Sequence, residues 1–267
     1  MLDKSRLSSL SKLKAEQSLD QLVEIAKFDA LAKEWRDPKG RFKHVLAFNQ
    51  TRLLAIKTAI AHHFSRSFDN ANPLADLKLL DIGCGAGLLT EPLASYGADV
   101  LGIDASEHNV SVASQHAKNS DIKVTYQHCL AAEIELSQTA NFDIILNTEV
   151  IEHVTDQQAL VNTCARLLKP GGLLVMATLN RTWQSYVIGI LGAEYVMRYL
   201  PVGTHNWHYF VKPQELEMML AHHQIDCISC QGMQFNPFSQ RWRISQNTQV
   251  NYLLFATKPL ESSPNHS

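Results

Sequence analysis

Apolar and polar positions along the chain divide it into three regimes. From Leu22 the apolar positions fall at helical spacing, with Leu22, Ile25, Ala26, Phe28, Ala32 and Trp35 near one face. The Asp37-Pro38-Lys39-Gly40 cluster ends that run. A second helix is predicted to begin after Asn49, which offers an N-cap side chain, and to pass through Arg52, Leu53, Ile56, Ile60 and Phe64. From Leu77 the pattern alternates between short apolar runs and amphipathic stretches. Strands are predicted at 77–82, 98–103, 122–128, 142–148 and 173–179, and helices at 87–96, 107–118 and 156–168. Leu79–Ile82 and Ile144–Leu146 are continuously apolar, as strands buried on both faces of a parallel sheet are. A helix near 213–222 and strands near 225–233 and 250–257 complete the pattern, with Lys169-Pro170-Gly171-Gly172 as a sharp stop between helix and strand.

Alternation of this kind predicts an α/β architecture, a Rossmann-like doubly wound sheet with helices on both faces. Residues 1–20 read as a flexible arm, 21–258 as the domain and 259–267 as a disordered tail. Composition changes little in this picture. A chain of 267 residues with 45% hydrophobic and 19% charged content is ordinary for a globular protein. A net charge of −2 and a pI of about 6.6 give no global attraction to nucleic acid. Five cysteines do not make a disulfide framework and suit a reducing compartment. Cys227-Ile-Ser-Cys230 has redox spacing but lies in a run read as a strand, and it has no second pair with which to hold zinc. The first residues lack the apolar core of a secretory signal, so a cytoplasmic location is expected.

The chemistry gathers at Leu79–Asp104. Asp81-Ile82-Gly83-Cys84-Gly85-Ala86-Gly87 follows a buried strand and opens a helix, and Asp104 closes the next strand, 21 residues after Gly83. Glycines there allow a tight turn and a close approach of ligand to backbone N–H groups. An acid at the next strand end can accept from ribose hydroxyls. Dinucleotide sites put a third small residue where this chain has Leu88. A carboxylate at Asp81, facing the loop, repels pyrophosphate and suits an ammonium group. S-adenosylmethionine has an amino group, a sulfonium and no phosphate, whereas a nicotinamide cofactor is disfavoured.

These residues resemble the cofactor motif of the class I S-adenosylmethionine-dependent methyltransferases. Phe142-Asp143-Ile144-Ile145 and Leu168-Lys169-Pro170-Gly171-Gly172-Leu173 resemble two further motifs of that superfamily. Asn49-x-x-Arg52, Glu149-x-x-Glu152-His153, Thr178-Leu179-Asn180-Arg181, Gly192-Ala193-Glu194-Tyr195, Gly203-Thr204-His205 and Val250-Asn251-Tyr252 narrow the similarity to the O-methyltransferases of ubiquinone biosynthesis, over roughly Ile25 to Lys258. The resemblance implies a seven-stranded, mostly parallel sheet with N-terminal helices and a helical insert at about 180–212. It also implies methylation of phenolic hydroxyls on polyprenylated catechol or demethylubiquinol acceptors. Arg52, Gly83, Asp104 and Thr148 match the family's cofactor contacts, beside Asp81, Gly85 and Gly87 of the loop. Thr148 departs from the larger apolar residue familiar there.

Methyl transfer to a phenol needs the phenolate, of which under about 1% exists at neutral pH without help. A general base or a divalent cation such as Mg²⁺ supplies that help. Glu149, Glu152 and His153 follow the fourth strand. If a helical turn begins there, spacing of i+3 and i+4 places them on one face as catalytic groups and metal ligands. The alternative for these three is a helix-start acid, a solvated charge and a packed histidine. His205 and His208 offer a base from the insert, though packing or exposure is the commoner fate of such histidines.

The segment 182–201 is strongly apolar and aromatic but is interrupted by Gln184, Glu194 and Arg198. It is short of a membrane span, and it suits an element lying on the inner face of a bilayer or closing over the acceptor as a lid. Quinone-pathway proteins are further expected partners. A non-catalytic cofactor-binding scaffold of the same fold, and a methyltransferase on another phenolic or lipid acceptor, are the competing readings.

Overall fold

The structure, a computed structural model, describes residues 43–187 and 206–260. The predicted helix at 22–35, the 1–20 arm, most of the 182–201 segment and residues 261–267 of the predicted tail lie outside the described residues. An opening helix, α1 (Lys43–His63), precedes the alternating region. Then follow β1 (Lys78–Ile82), α2 (Thr90–Ser95), β2 (Asp99–Asp104), α3 (Glu107–Asn119), β3 (Thr125–His128), α4 (Ala131–Glu135) and β4 (Phe142–Thr148). A 3-10 turn (Ile151–His153) leads to α5 (Gln157–Leu167), β5 (Leu168–Leu179) and a short helical turn, α6 (Trp183–Ser185). A second 3-10 turn (Trp207–Tyr209), α7 (Pro213–Ala221), β6 (Asp226–Asn236), β7 (Arg241–Ser245) and β8 (Asn251–Thr257) complete the order.

The sheet order is β3-β2-β1-β4-β5-β8-β6-β7. Strands β1 to β5 pair in parallel, and β8 runs antiparallel to β5. Order reverses between β1 and β4, the switch point where doubly wound sheets bind ligands beyond the carboxyl ends of their strands. The continuous apolar runs are buried on both faces. Leu80, Ile82, Ile145, Leu174 and Leu254 pack with α5 and α7, while Leu79, Ile144, Leu146, Val175 and Phe255 pack with α1 and α2.

Three predicted features are corrected. Strand β7 makes an eighth strand among the described residues where seven were implied, because the polar-looking string Arg241-Trp242-Arg243-Ile244 partly covers its alternate residues, Trp242 and Ile244, against α1. Helix α1 already runs at Asn49, whose amide donates back to Val45 O (3.1 Å), so Asn49 is an interior residue and not an N-cap. The Lys169–Gly172 stop is also absorbed, since β5 begins at Leu168 and carries those residues, with Gly171 at φ +77°.

Candidate functional site

At the carboxyl end of β1 the chain enters the glycine turn. Gly83, Gly85 and Gly87 have φ of +73°, +53° and +79°, a region open to glycine and costly for other residues. Gly83 N–H and Cys84 N–H both donate to Ile103 O, at 2.8 and 2.9 Å, which stitches the turn to the end of β2. A Cβ on Gly83 would come within 2.2 Å of Val150 Cγ2, so the loop after β4 packs directly on this turn. The predicted helix from residue 87 starts only at Thr90, after the turn has relaxed.

Asp104 organises the neighbouring strand end. Its carboxylate accepts from Gly85 N–H (2.8 Å), Ser106 N–H (2.8 Å) and the Asn109 amide (3.3 Å). Ser106 Oγ in turn accepts from Asn109 N–H (3.0 Å) and caps α3. Asp81 is buried beneath the turn and accepts from Thr90 Oγ1 (2.6 Å). Burial pushes its carboxyl up to about 6; the Thr90 bond opposes that, the Asp104 charge adds to it and Arg52 offsets part of it. The same burial and the same two acids raise the Cys84 thiol well above its ordinary value. A tight glycine turn that leaves room for close approach, beside two acids that repel one another, fits a ligand carrying both hydroxyls and positive charge. S-adenosylmethionine has both. Thr90, Ser106 and Asn109 were not singled out from the sequence, and only the Ser-x-x-Asn spacing at a strand–helix junction hinted at a cap.

At the end of β4, Thr148 is buried and Glu149 adopts φ +57°, a strained conformation for a non-glycine residue. Its N–H donates to Ala177 O (2.8 Å), and its carboxylate is ion-paired with Arg52 of α1. Arg52 is buried, donates to Asn49 Oδ1 (3.1 Å) and stacks over Phe48 at 4.4 Å. Thus the two predicted contacts at residues 52 and 149 meet one another, although 97 positions separate them.

The expected helical face of Glu149, Glu152 and His153 does not form. The left-handed residue at 149 turns its side chain to Arg52, and only Ile151–His153 make a single 3-10 turn, in which Glu152 is buried. Among the described residues, no group of three or more His, Cys, Asp or Glu side chains could hold a metal ion. The proposed Glu149/Glu152/His153 ligand set is therefore not assembled in this geometry. His205 lies outside the described residues, and His208 is exposed on the second 3-10 turn.

That second turn closes the same end of the sheet. Trp207 Nε1 donates to Thr182 O (3.0 Å), Tyr252 OH to Val211 O (3.0 Å) and Gln157 Nε2 to Tyr209 O (2.6 Å). Arg181 pairs with Glu215 of α7. Residues 206–212 are in this way tied over the carboxyl end of β5 and the amino end of β8, next to Ile151–His153.

Comparison with known proteins agrees with this geometry. Residues 80–176 match the methyltransferase domain family model. Among solved structures, magnesium protoporphyrin IX methyltransferase from Synechocystis, with bound SAH, has the same fold; its TM-score is 0.63 at 21% identity, with 90% of this chain and 99% of that one covered. Curated relatives are much nearer in sequence. A ubiquinone biosynthesis O-methyltransferase of Roseobacter denitrificans is 45% identical over 92% of this chain and 100% of its own length. Proteins of the same description from Sinorhizobium medicae and Rhodopseudomonas palustris are 43% identical over 92% of this chain and 98% of their own, and 46% identical over 88% and 92%. At that identity over nearly the whole length, the chain belongs to the family of ubiquinone biosynthesis O-methyltransferases.

Proposed function

We propose that this chain transfers a methyl group from S-adenosylmethionine to a phenolic hydroxyl of a polyprenylated catechol or demethylubiquinol. The observation that carries this reading is the pairing of a buried acid-lined glycine turn with an acid-bearing strand end across one switch point. When bound, the cofactor supplies an electrophilic methyl on sulfur. In this reading Asp104 takes the ribose hydroxyls and Asp81 faces the amino group, which their positions at the ends of β1 and β2 support. Arg52 is already engaged by one carboxylate. A ligand carboxylate arriving at the same guanidinium exchanges with Glu149, which is then released toward the acceptor.

Glu149 and His153 are the groups at the β4 end suited to take the phenol proton; the phenolate so formed would attack the methyl carbon as the methyl–sulfur bond breaks, its electron pair staying on sulfur as a neutral thioether. Enclosure by the 206–212 segment would exclude water and hold oxygen and methyl in line, which supplies much of the acceleration. No step is assigned to a divalent cation, since its expected ligands are not gathered.

Contact with a membrane surface is part of the reading, because a polyprenyl acceptor is confined there. Trp183, Tyr186 and Val187, at the described start of the 182–201 segment, are exposed and support it. No helix among the described residues is long and apolar enough to cross a bilayer.

The test is methyl transfer from labelled donor to a short-chain demethylubiquinol, with and without chelator. Product formation supports the reading, and its loss with chelator would restore the metal to the mechanism. Tight binding of the methyl donor without turnover on any phenol would favour the scaffold. Binding of NAD and not of the donor would overturn the reading altogether.

A further inference from the structure

The β6–β7 hairpin carries a feature that the methyl-transfer site does not use. At its tip Phe238 is 98% exposed, the most solvent-accessible large hydrophobic side chain among the described residues. The turn that displays it is hydrogen-bonded across its corner. Asn236 Oδ1 accepts from both Phe238 N–H (2.9 Å) and Ser239 N–H (3.1 Å), and Gln240 at φ +53° returns the chain to β7. Beneath the tip, Phe235 packs against Trp242 with ring centroids 5.3 Å apart and against His44 at 5.5 Å. Trp242 packs on Phe48 of α1 at 4.7 Å. An aromatic side chain is thus held in water on a braced support, where a mobile loop could have folded it away.

Charge and direction agree. From Cys227 to Leu260 the sequence contains no Asp or Glu, while Arg241, Arg243 and Lys258 are cationic. Arg241 and Arg243 are exposed on the β7 edge, and neither pairs with an acid among the described residues. Leu179 at the end of β5 pairs with Asn251 at the start of β8, and Met233 N–H donates to Asn251 Oδ1 (2.9 Å). Residues of β6 beyond Met233 therefore pass the end of the sheet at which α6 follows β5. Hairpin tip and α6 stand at the same end of the sheet.

We propose that the β6–β7 hairpin is a lipid-docking element, with Phe238 entering the boundary between headgroups and acyl chains of an anionic bilayer and Arg241 and Arg243 taking lipid phosphates. This rests on the membrane reading above and assigns it a second, independent contact. A bilayer is the occupant the observations favour over a protein. One protruding aromatic on a narrow turn offers far less than the roughly 800 Å² per partner that a stable protein interface covers. An amphipathic tip flanked by arginines is what a soft anionic surface accepts.

The full-length protein would be sedimented with vesicles of phosphatidylcholine alone and of phosphatidylcholine with phosphatidylglycerol. Binding should be confined to the anionic vesicles and weaken as salt is raised. Phe238→Ser should reduce it about tenfold, and Phe238→Leu should restore most of it. Replacing Arg241 and Arg243 by Ser should reduce it about fivefold for each charge at low salt. Unchanged circular dichroism and donor binding in these variants would separate lost docking from lost fold. A Trp183→Ser/Tyr186→Ser variant tests the insert by itself. If that variant loses binding while Phe238→Ser does not, the hairpin proposal fails and the insert reading stands. If the wild type ignores both kinds of vesicle, both fail. If instead Phe238→Ser abolishes a concentration-dependent self-association, the tip belongs to a second copy and the proposal is overturned.

Discussion

Two strand ends face each other across the switch point, and they are built in opposite ways. At the ends of β1 and β2, Asp104 and the glycine turn are held chiefly by backbone N–H groups at 2.8 Å, from residues of the turn and of the junction between β2 and α3. At the end of β4, Glu149 is held by a side chain from α1, 97 positions away, and stands in a strained conformation. A site made of backbone donors is preorganised before any ligand arrives. A site made of an exchangeable ion pair changes when a competing carboxylate binds. The first kind suits a cofactor that every turnover uses in the same pose. The second suits a step in which a group must be released.

The sharpest way to break this contrast is to remove one acid from each end. Asp104→Ala deletes a carboxylate that anchors Gly85 and Ser106 and is proposed to take the ribose hydroxyls. Two charge-assisted hydrogen bonds are worth roughly 1.5–3 kcal/mol each, so donor affinity should fall by more than about 100-fold in calorimetric titration. Glu149→Ala should change donor affinity by less than about tenfold and act mainly on turnover. A reversal of that order would show that the β4 end, not the glycine turn, holds the cofactor.

Gly83→Ala probes where the two ends touch. Its φ of +73° and the 2.2 Å approach to Val150 leave no room for a Cβ, and Val150 has no flexible end with which to yield. A stability loss of about 2 kcal/mol is expected in urea unfolding. Gly171 has a similar φ of +77°, but the atom its Cβ would meet is the terminal Cδ2 of Leu260, at 2.8 Å. Gly171→Ala should cost about half as much. Equal costs would mean that backbone strain alone, and not the packing of one strand end on the other, makes Gly83 necessary.

How much of each end could be read from the sequence follows from the same difference. Asp81, Gly83, Gly85, Gly87 and Asp104 form a local motif whose spacing reports its geometry, and all of them sit where the pattern placed them. Arg52 and Glu149 were both visible as candidates, yet nothing local revealed that they pair. The helical face expected for Glu149, Glu152 and His153 did not form for a related reason. Spacing of i+3 and i+4 has meaning only on a helix, and a left-handed residue at 149 cannot be distinguished by type from a helical one. Strand β7 was missed because alternation of Arg241, Trp242, Arg243 and Ile244 looks polar until α1 is known to cover one side. What escaped was either a contact between elements distant in sequence or, at Glu149, a backbone conformation that residue type does not report.

Asp81 gives the contrast a pH dependence. Its ordinary value of 3.8 is raised to about 6 by burial, so between these values the folded protein holds a proton that the unfolded chain releases. Stability from this group therefore falls as pH rises from about 4 through 6, and Asp81→Asn should flatten that part of the profile. A cationic ligand requires the ionised form. Donor affinity should drop by about tenfold on going from pH 7 to pH 5, with proton release on binding, and Asp81→Asn should lose the slope along with much of the affinity. A wild-type affinity independent of pH over that range would mean that Asp81 does not meet the donor's positive charge.

The smallest effect separates support from contact within the cofactor end itself. Ser106 plays two parts: its N–H donates to Asp104, and its hydroxyl accepts from Asn109 N–H as the cap of α3. Ser106→Ala removes the cap and keeps the backbone bond, so the Asp104 carboxylate should stay in place. Loss of an N-cap costs about 1 kcal/mol, readable as a lower unfolding midpoint, while donor affinity should hold within about twofold. If affinity fell as far as stability, the preorganisation of Asp104 would depend on the seating of α3, and the backbone-built end would be no more self-sufficient than the ion pair opposite.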